Sequence, residues 1–381
     1  MVAQYYELWH QIWHPNIYVF ESDFFSIKWY GLLFAIGVVL GRYFVRKSYQ
    51  IEKRYRLSAE IQIIYVVFGT LFGSRIGHIL FYNPEILKKN FFQIFFFWEG
   101  GLSSHGAAIG ILFCLAIYSF KIKWKKYWIQ IKDRNRNGYS YYQILDRIVI
   151  GIAIGASLVR LGNFINSEII GKTTGNKFGV VLVKPVEERI KKQLPFVEKV
   201  IFNKTSSFFG PGKPNIETKI IFHNEKFKES RIRQSIKKRL AFIFPKNENE
   251  FNHIINPLGS ELKYTLNRSK TNFVLQTNLV GVNRYPTQLF ESFAYFLISV
   301  LLFILWKKHL IDLRPGSLLG LFLILVFLFR FLVEFIKENQ VIFENSLYLN
   351  MGQILSIPMI ILGFYFFFKS KKSGTAFRRL N

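Results

Sequence analysis

DRIVIGIAIGASLVRLGNFINSEIIG, residues 146–171, is the stretch on which the fold turns. It carries no charge from Ile148 to Val159. A helix over 146–165 has the ~20 residues needed to cross the ~30 Å hydrocarbon core of a bilayer. A soluble core helix of that length carries a polar stripe along one side. Here the charged groups sit at the ends instead, Asp146 at one and Arg160 with Asn163 at the other. Gly151 and Gly155 are spaced i, i+4 and mark a face where another helix can come close. An ionisable side chain at the centre of a span costs at least ~2.5–3.5 kcal/mol on insertion scales, so Arg160 needs a reason to be there.

Six further apolar stretches lie outward from this one, near 28–45, 61–81, 103–120, 287–306, 316–334 and 352–368. The composition agrees with them. Half of the 381 residues are hydrophobic, Phe alone supplies 42, and the net charge is +27. Disorder is excluded by the apolar fraction. One cysteine, Cys114, excludes a disulfide-stapled domain and a thiolate metal site. The fold expected is an all-α polytopic membrane protein, with seven transmembrane helices and a small extracytoplasmic head domain. Residues 1–165 hold an outer-face N-terminal segment and helices one to four, 166–286 form an enlarged basic head loop, and 287–381 hold helices five to seven and a basic tail. Around Trp9 and Trp13 the aromatic residues suggest an interfacial amphipathic segment or a frayed end. In the head, 178–183 and 219–222 read as strands, and the basic run from Arg231 to Arg239 as a solvated or lipid-facing surface. Gly73-x-x-x-Gly77 and Gly106-x-x-x-Gly110 repeat the close-packing spacing of 151–155. Gly100, Gly101 and Gly162 either pack helices or shape a re-entrant turn.

Charge orients the chain. Segments 42–60, 121–140, 307–314 and 369–381 together carry 21 Lys and Arg, against four (Lys28, Lys88, Lys89 and Lys337) on the opposite side. The cytoplasmic face attracts positive charge, so the N-terminus is expected outside and the C-terminus in the cytoplasm. The basic excess is therefore an orientation and headgroup signal; no nucleic-acid motif accompanies it.

With this topology, the polar residues of the spans gather in one leaflet. Tyr30, Arg75, His78, His105, Arg160, Asn163, Gln288, Glu291, Arg330, Glu334 and Gln353 all fall toward the outer side, and Asp146 is the exception. A pore or transporter distributes such groups through the midplane. Arg330 and Glu334 are i, i+4 and share a helix face. Two arginines on different helices, partly offset by carboxylates, make an anion site, and a planar guanidinium suits phosphate. In an outer leaflet that anion is a phospholipid headgroup.

Seven ordered blocks resemble the prolipoprotein diacylglyceryl transferase family of bacterial inner membranes. They are 28–33 (KWYGLL), 74–83 (SRIGHILFYN), 100–106 (GGLSSHG), 160–171 (RLGNFINSEIIG), 284–291 (RYPTQLFE), 329–335 (FRFLVEF) and 351–359 (MGQILSIPM). The block at 160–171 is the family's signature. The resemblance implies transfer of a diacylglyceryl group from phosphatidylglycerol to the lipobox cysteine thiol of a prelipoprotein, with no metal or other cofactor, in the inner membrane. Its partners are phosphatidylglycerol, prelipoprotein lipobox peptides and membrane lipids, with no nucleic acid. Carried over by position, its functional residues are Tyr30, His105, Arg160, Asn163, Glu168, Gly171, Arg330 and Glu334. Asp146 also matches one of the family's polar positions.

The chemistry implied is displacement at carbon by a thiolate, whose parent thiol has a pKa near ~8.5. Arg160 and Arg330 hold the leaving phosphate. His105 either accepts the thiol proton or positions lipid. Tyr30 and Asn163 bind the headgroup, and Glu168 and Glu334 orient the arginines. Arg75, Gln288 and Glu291 complete the expected substrate contacts. Two positions depart from the pattern. Tyr285 stands where the family often has His, and Lys337 replaces its usual Arg, giving up bidentate phosphate contact. The alternative activities are a phospholipid-binding transporter or flippase without covalent chemistry, and an alcohol phosphotransferase. The first predicts polar residues reaching the inner leaflet, the second an aspartate-rich metal motif. The basic stretch 184–280 is left with two expected partners, anionic lipid or the incoming prelipoprotein.

Overall fold

The computed structural model describes residues 10–372 except 23, 83, 86–90, 97–102, 125–128, 134–138, 195, 224–228, 248–251, 258–261, 269–271, 309–313, 340–343 and 345. Trp9, Gly100 and Gly101 lie outside the described residues, as do the side chains of Arg231, Lys237 and Lys238. All seven expected apolar helices are present: α1 (Trp29–Ile51), α2 (Arg56–Tyr82), α3 (Ser104–Ser119), α4 (Tyr141–Asn166), α7 (Thr287–Lys308), α8 (Ser317–Val333) and α9 (Met351–Lys372). Six are long and apolar enough to cross a membrane. The exception is α3, whose 16 residues span only ~24 Å at 1.5 Å per residue. Its length is set locally: the Ser103 side chain caps the first turn, and the chain turns into a strand at Phe120. Two shorter helices, α5 (Lys184–Gln193) and α6 (Glu229–Ile243), lie between α4 and α7.

The chain forms two compact units. One comprises 33–159, 293–329 and 355–381; its described regular elements are helices and one hairpin, β4 (Phe120–Trp124) with β5 (Ile129–Asp133). Its core includes Val45, Leu115, Ile148, Ala153, Leu302 and Leu319. Lipid offers no hydrophobic drive between helices, so close approach through small residues has to supply the packing. A Cβ on Gly77 would sit 2.6 Å from Gly106 Cα, and one on Gly151 would sit 2.7 Å from Gly41 Cα. The spaced glycines of α2, α3 and α4 are therefore backbone contact points, with Gly37 and Gly41 as partners the sequence reading did not single out. Asp146, the odd polar residue at the other end, caps α8: it accepts the backbone N–H of Gly316 at 2.7 Å and of Leu319 at 2.8 Å.

The other unit comprises 1–32, 160–292 and 330–354. An antiparallel sheet runs in the order β10 (Tyr264–Arg268), β11 (Asn272–Gly281), β8 (Lys213–His223), β7 (Val197–Gly210), with β9 (Ile254–Ile255) also on β11. Strict alternation in β8 turns Ile216, Thr218, Ile220 and Phe222 inward, onto the buried Val186 and Ile190 of α5 and Ile232 and Ile236 of α6. The strand-like pieces at 178–183 and 219–222 are β6 (Gly179–Leu182) and part of β8. Within the described residues the N-terminal segment is a paired strand and is not frayed. β1 (His10–Trp13) pairs in parallel with β6, and Trp13 donates to Phe164 O at 3.0 Å while its ring stacks on Phe164. A strand partner 169 residues downstream in the register His10↔Gly179 leaves no periodicity near the terminus to read.

Candidate functional site

The site is assembled where four chain segments end or turn in the sheet-bearing unit. Helix α4 delivers Arg160, Gly162 and Asn163, then stops. The chain beyond it turns through Ser167 and Ile169, both with positive φ (58° and 55°). For a β-branched residue such as Ile169 this conformation is strained, on the order of 1–3 kcal/mol, and must be held from outside. The holders come from α7: Gln288 donates its side-chain N–H to Glu168 O, and Thr287 Oγ1 to Ile169 O at 3.4 Å. Asn163 and Asn166 donate to the Glu168 carboxylate at 2.9 and 3.2 Å. Tyr30, at the start of α1, lies against Gly162, where an added Cβ would be 2.9 Å from the ring.

Gly171 then pairs with Lys337 in a β-bridge, flanked by Lys172 N–H to Ile336 O at 2.9 Å and Glu338 N–H to Ile170 O at 3.0 Å. A side chain on Gly171 would collide with Tyr285 O and Thr287. Behind this ribbon lies Arg284, almost fully buried. Its Nη1 donates to Gly171 O at 3.1 Å and to Glu338 Oε1 at 2.6 Å.

The pairing of Gly171 with Lys337 sets the Lys337 side chain among buried charges. Glu291, fully buried on α7, has Arg160 Nε at 3.2 Å, Lys337 Nζ at 3.4 Å and Arg330 Nη1 at 3.9 Å. Glu334 has Lys337 Nζ at 3.0 Å and Arg330 Nη2 at 3.6 Å, and Asn350 Nδ2 donates to it at 3.2 Å. Gly352 leaves room for this carboxylate, where any Cβ would overlap it. Among the described residues, these ion pairs join three cations to two carboxylates. The carboxylates are buried, whereas Arg160 and Arg330 are 12 and 14 % exposed, so the positive groups are the ones a ligand can reach.

Of the residues singled out from the sequence, Tyr30, Arg160, Asn163, Glu168, Gly171, Gln288, Glu291, Arg330 and Glu334 fall in this unit. His105 and Arg75 belong to the helical unit, at the first turn of α3 and on α2, where Arg75 Nε donates to Gln93 O at 3.1 Å. The sequence presents Lys337 as an outer-side charge and as a departure from the family pattern, and the structure makes it the third cation of the cluster. The available signal was spacing: Lys337 lies three residues from Glu334 and seven from Arg330. Arg284 heads the 284–291 block, and nothing in the sequence around it signals its contact with Gly171.

A family model described as Prolipoprotein diacylglyceryl transferase matches residues 17–369. A protein of Bacteroides fragilis named phosphatidylglycerol–prolipoprotein diacylglyceryl transferase is 29% identical over 375 residues, covering 95% of this chain and 96% of its own. Proteins of the same name from Porphyromonas gingivalis and Chloroherpeton thalassium are each 28% identical. The first match covers 91% of this chain and 90% of the relative, the second 95% of each. These matches run nearly end to end, so a long segment between α4 and α7 is not peculiar to this chain.

Proposed function

The chain belongs to the prolipoprotein diacylglyceryl transferase family, and from that premise we propose that it transfers the diacylglyceryl group of phosphatidylglycerol to the lipobox cysteine of prelipoproteins. It is a multi-pass membrane protein; its place is the bacterial inner membrane, with the N-terminus outside and the C-terminus cytoplasmic. The observation that carries this reading is the positive excess around Glu291 and Glu334, with two guanidiniums partly open. A cluster in which cations outnumber carboxylates is completed by an anion, and a phosphodiester is the anion that a membrane supplies.

The reaction is written at the glycerol carbon bonded to phosphate. The thiol loses its proton, sulfur forms a bond to that carbon, and the carbon–oxygen bond breaks. Glycerol 1-phosphate leaves with one more negative charge than the diester carried. Arg160 and Arg330 stabilise that growing charge, and removing one such donor costs on the order of 10²–10³ in rate. Glu291 and Glu334 hold the guanidiniums in place before lipid arrives, so little reorganisation is left for the reaction itself. Tyr30 and Asn163 contact the headgroup; Gln288 holds the turn after α4 at Glu168, whose carboxylate in turn accepts from Asn163. For the acceptor of the thiol proton the sequence offers His105, whose other reading is a lipid-positioning residue.

The test is direct. Purified protein is mixed with phosphatidylglycerol and a lipobox peptide, with the Cys→Ser peptide as control. The expected result is release of glycerol phosphate together with a diacylglyceryl mass gain on the cysteine peptide alone. Lipid binding with neither product would sink the transferase reading and put a lipid-binding or transport activity in its place.

A further inference from the structure

A short hairpin precedes α1 in the sheet-bearing unit. Strand β2 (Tyr18–Glu21) pairs with β3 (Ser26–Lys28), with Phe20 opposite Ile27. Its apolar side chains are turned outward: Phe24 is 97 % exposed, Phe25 57 % and Phe20 48 %, and Val19, Ile27 and Trp29 are exposed as well. A stable protein does not leave such a patch to water without a partner. The two described ends of the turn, Ser22 and Phe25, bond to each other. Ser22 N–H donates to Phe25 O at 3.1 Å, and Phe25 N–H to Ser22 Oγ at 3.3 Å. Backbone closed on itself in this way is what entry into an apolar medium requires.

We propose that this hairpin is an aromatic wedge seated in the headgroup–acyl boundary of the leaflet into which α1 enters, and that the seat fixes the depth of Tyr30. The occupant of the patch is lipid because the patch is continuous with a spanning helix. Trp29 N–H donates to Ile17 O at 3.0 Å, and Trp29 is also the first residue of α1. The charges set the depth. Lys28 stands at the base of the hairpin, opposite Tyr18, and Glu21 at its turn end, opposite Ser26, with Asp23 two residues on in the sequence; the Glu21 carboxylate at the turn end holds the hairpin at the interface and out of the hydrocarbon centre. These residues carry one cation and two carboxylates, so the attraction is aromatic and does not depend on anionic lipid. Two residues beyond the hairpin, Tyr30 packs on Gly162, beside Asn163. The consequence for Tyr30 rests on the transferase reading; the seat in the membrane does not.

The seat is read without activity. Phe24→Cys, in a chain whose Cys114 is replaced by Ala, is labelled with an environment-sensitive fluorophore and reconstituted in phosphatidylcholine nanodiscs; Ser207→Cys in the exposed part of β7 is the control. The expected result is a blue-shifted emission at position 24, quenched by lipids spin-labelled near the headgroup and protected from aqueous iodide. Iodide quenching equal to that at position 207 overturns the seat. For the consequence, Phe24→Ser/Phe25→Ser is assayed on bilayer phosphatidylglycerol and on a short-chain soluble analogue. A raised KM on bilayers with unchanged kcat, and unchanged short-chain activity, is expected. An unchanged bilayer KM, or an equal loss on the short-chain substrate, overturns it. If no transferase activity is found at all, the function fails while the quenching result stands.

Discussion

Two buried charge clusters, one in each compact unit, obey opposite arithmetic. In the helical unit, Arg147 and Glu52 are 2 and 0 % exposed and pair at 2.8 Å. Trp306 Nε1 donates to the same carboxylate at 2.8 Å, and Tyr139 donates its hydroxyl proton to it. Among the described residues its ion pair balances, one cation to one carboxylate, and both partners are buried. In the sheet-bearing unit, Arg160, Arg330 and Lys337 share Glu291 and Glu334 at 3.0–3.9 Å, and the two arginines reach the surface. Buried charge that balances is architecture. Buried charge with a positive remainder and a way out is a binding site. The density of ionisable groups alone would not separate the two.

The largest expected effect tests the neutral cluster. Arg147→Leu strands the Glu52 carboxylate, and breaking a buried pair in this way costs about 3–5 kcal/mol. The detergent-solubilised variant should melt well below the parent, with activity per folded molecule retained. Adding Glu52→Gln should recover more than half of the loss. The amide keeps an acceptor for Trp306 and Tyr139 while removing the stranded charge.

Arg160→Ala should behave in the opposite way. It removes one cation from a cluster with a surplus, so the melting temperature should move little, while glycerol phosphate release falls by roughly 10²–10³. If this variant melts like Arg147→Leu and keeps its activity, the two clusters are of one kind and the distinction is broken.

Arg284→Gln sharpens the comparison at the ribbon behind the site. Arg284 is buried and paired as Arg147 is, yet its bonds run to Gly171 O and to Glu338, the neighbour of Lys337. A hydrogen bond to a charged group contributes about 1.5–3 kcal/mol. Part of that loss should appear as a raised KM for phosphatidylglycerol, because the strand bearing Lys337 is released; Arg284→Lys should restore some of it. A loss of stability with unchanged KM would put Arg284 with Arg147, as architecture alone.

How much of this was legible follows from how local each signal is. The seven apolar helices are properties of contiguous sequence, and so is the glycine spacing on α2, α3 and α4. Arg330 and Glu334 share a face by helical periodicity, and the structure joins them at 3.6 Å. The rest depends on pairing between distant segments. Nothing near Lys337 says that its backbone will bridge to Gly171, and nothing near Trp13 says that its strand will pair with β6. Asp146 stood out as misplaced because its partners, the first N–H groups of α8, lie some 170 residues away.

The smallest effect lies at the residue that precedes β9. His253 is buried, and burial with the nearby Arg284 and Arg189 guanidiniums depresses its pKa to about 3. Between pH 3 and 6.5 the unfolded chain therefore binds a proton that the folded chain refuses. Stability rises with pH across that window and is level above it for this group, with a slope of at most about 1.4 kcal/mol per pH unit for one proton. Glu187 acts lower. Its hydrogen bond from His14, with Lys191 also near, depresses its pKa to about 2, so its contribution is full above pH 4.5 and is lost as pH falls toward 2. Hydrogen exchange of the β8 and β11 amides, followed from pH 6.5 to 4.5, should lose protection in the parent and lose distinctly less in His253→Gln. Equal losses would mean that His253 is protonated in the folded chain, and that the guanidinium of Arg284 does not reach it.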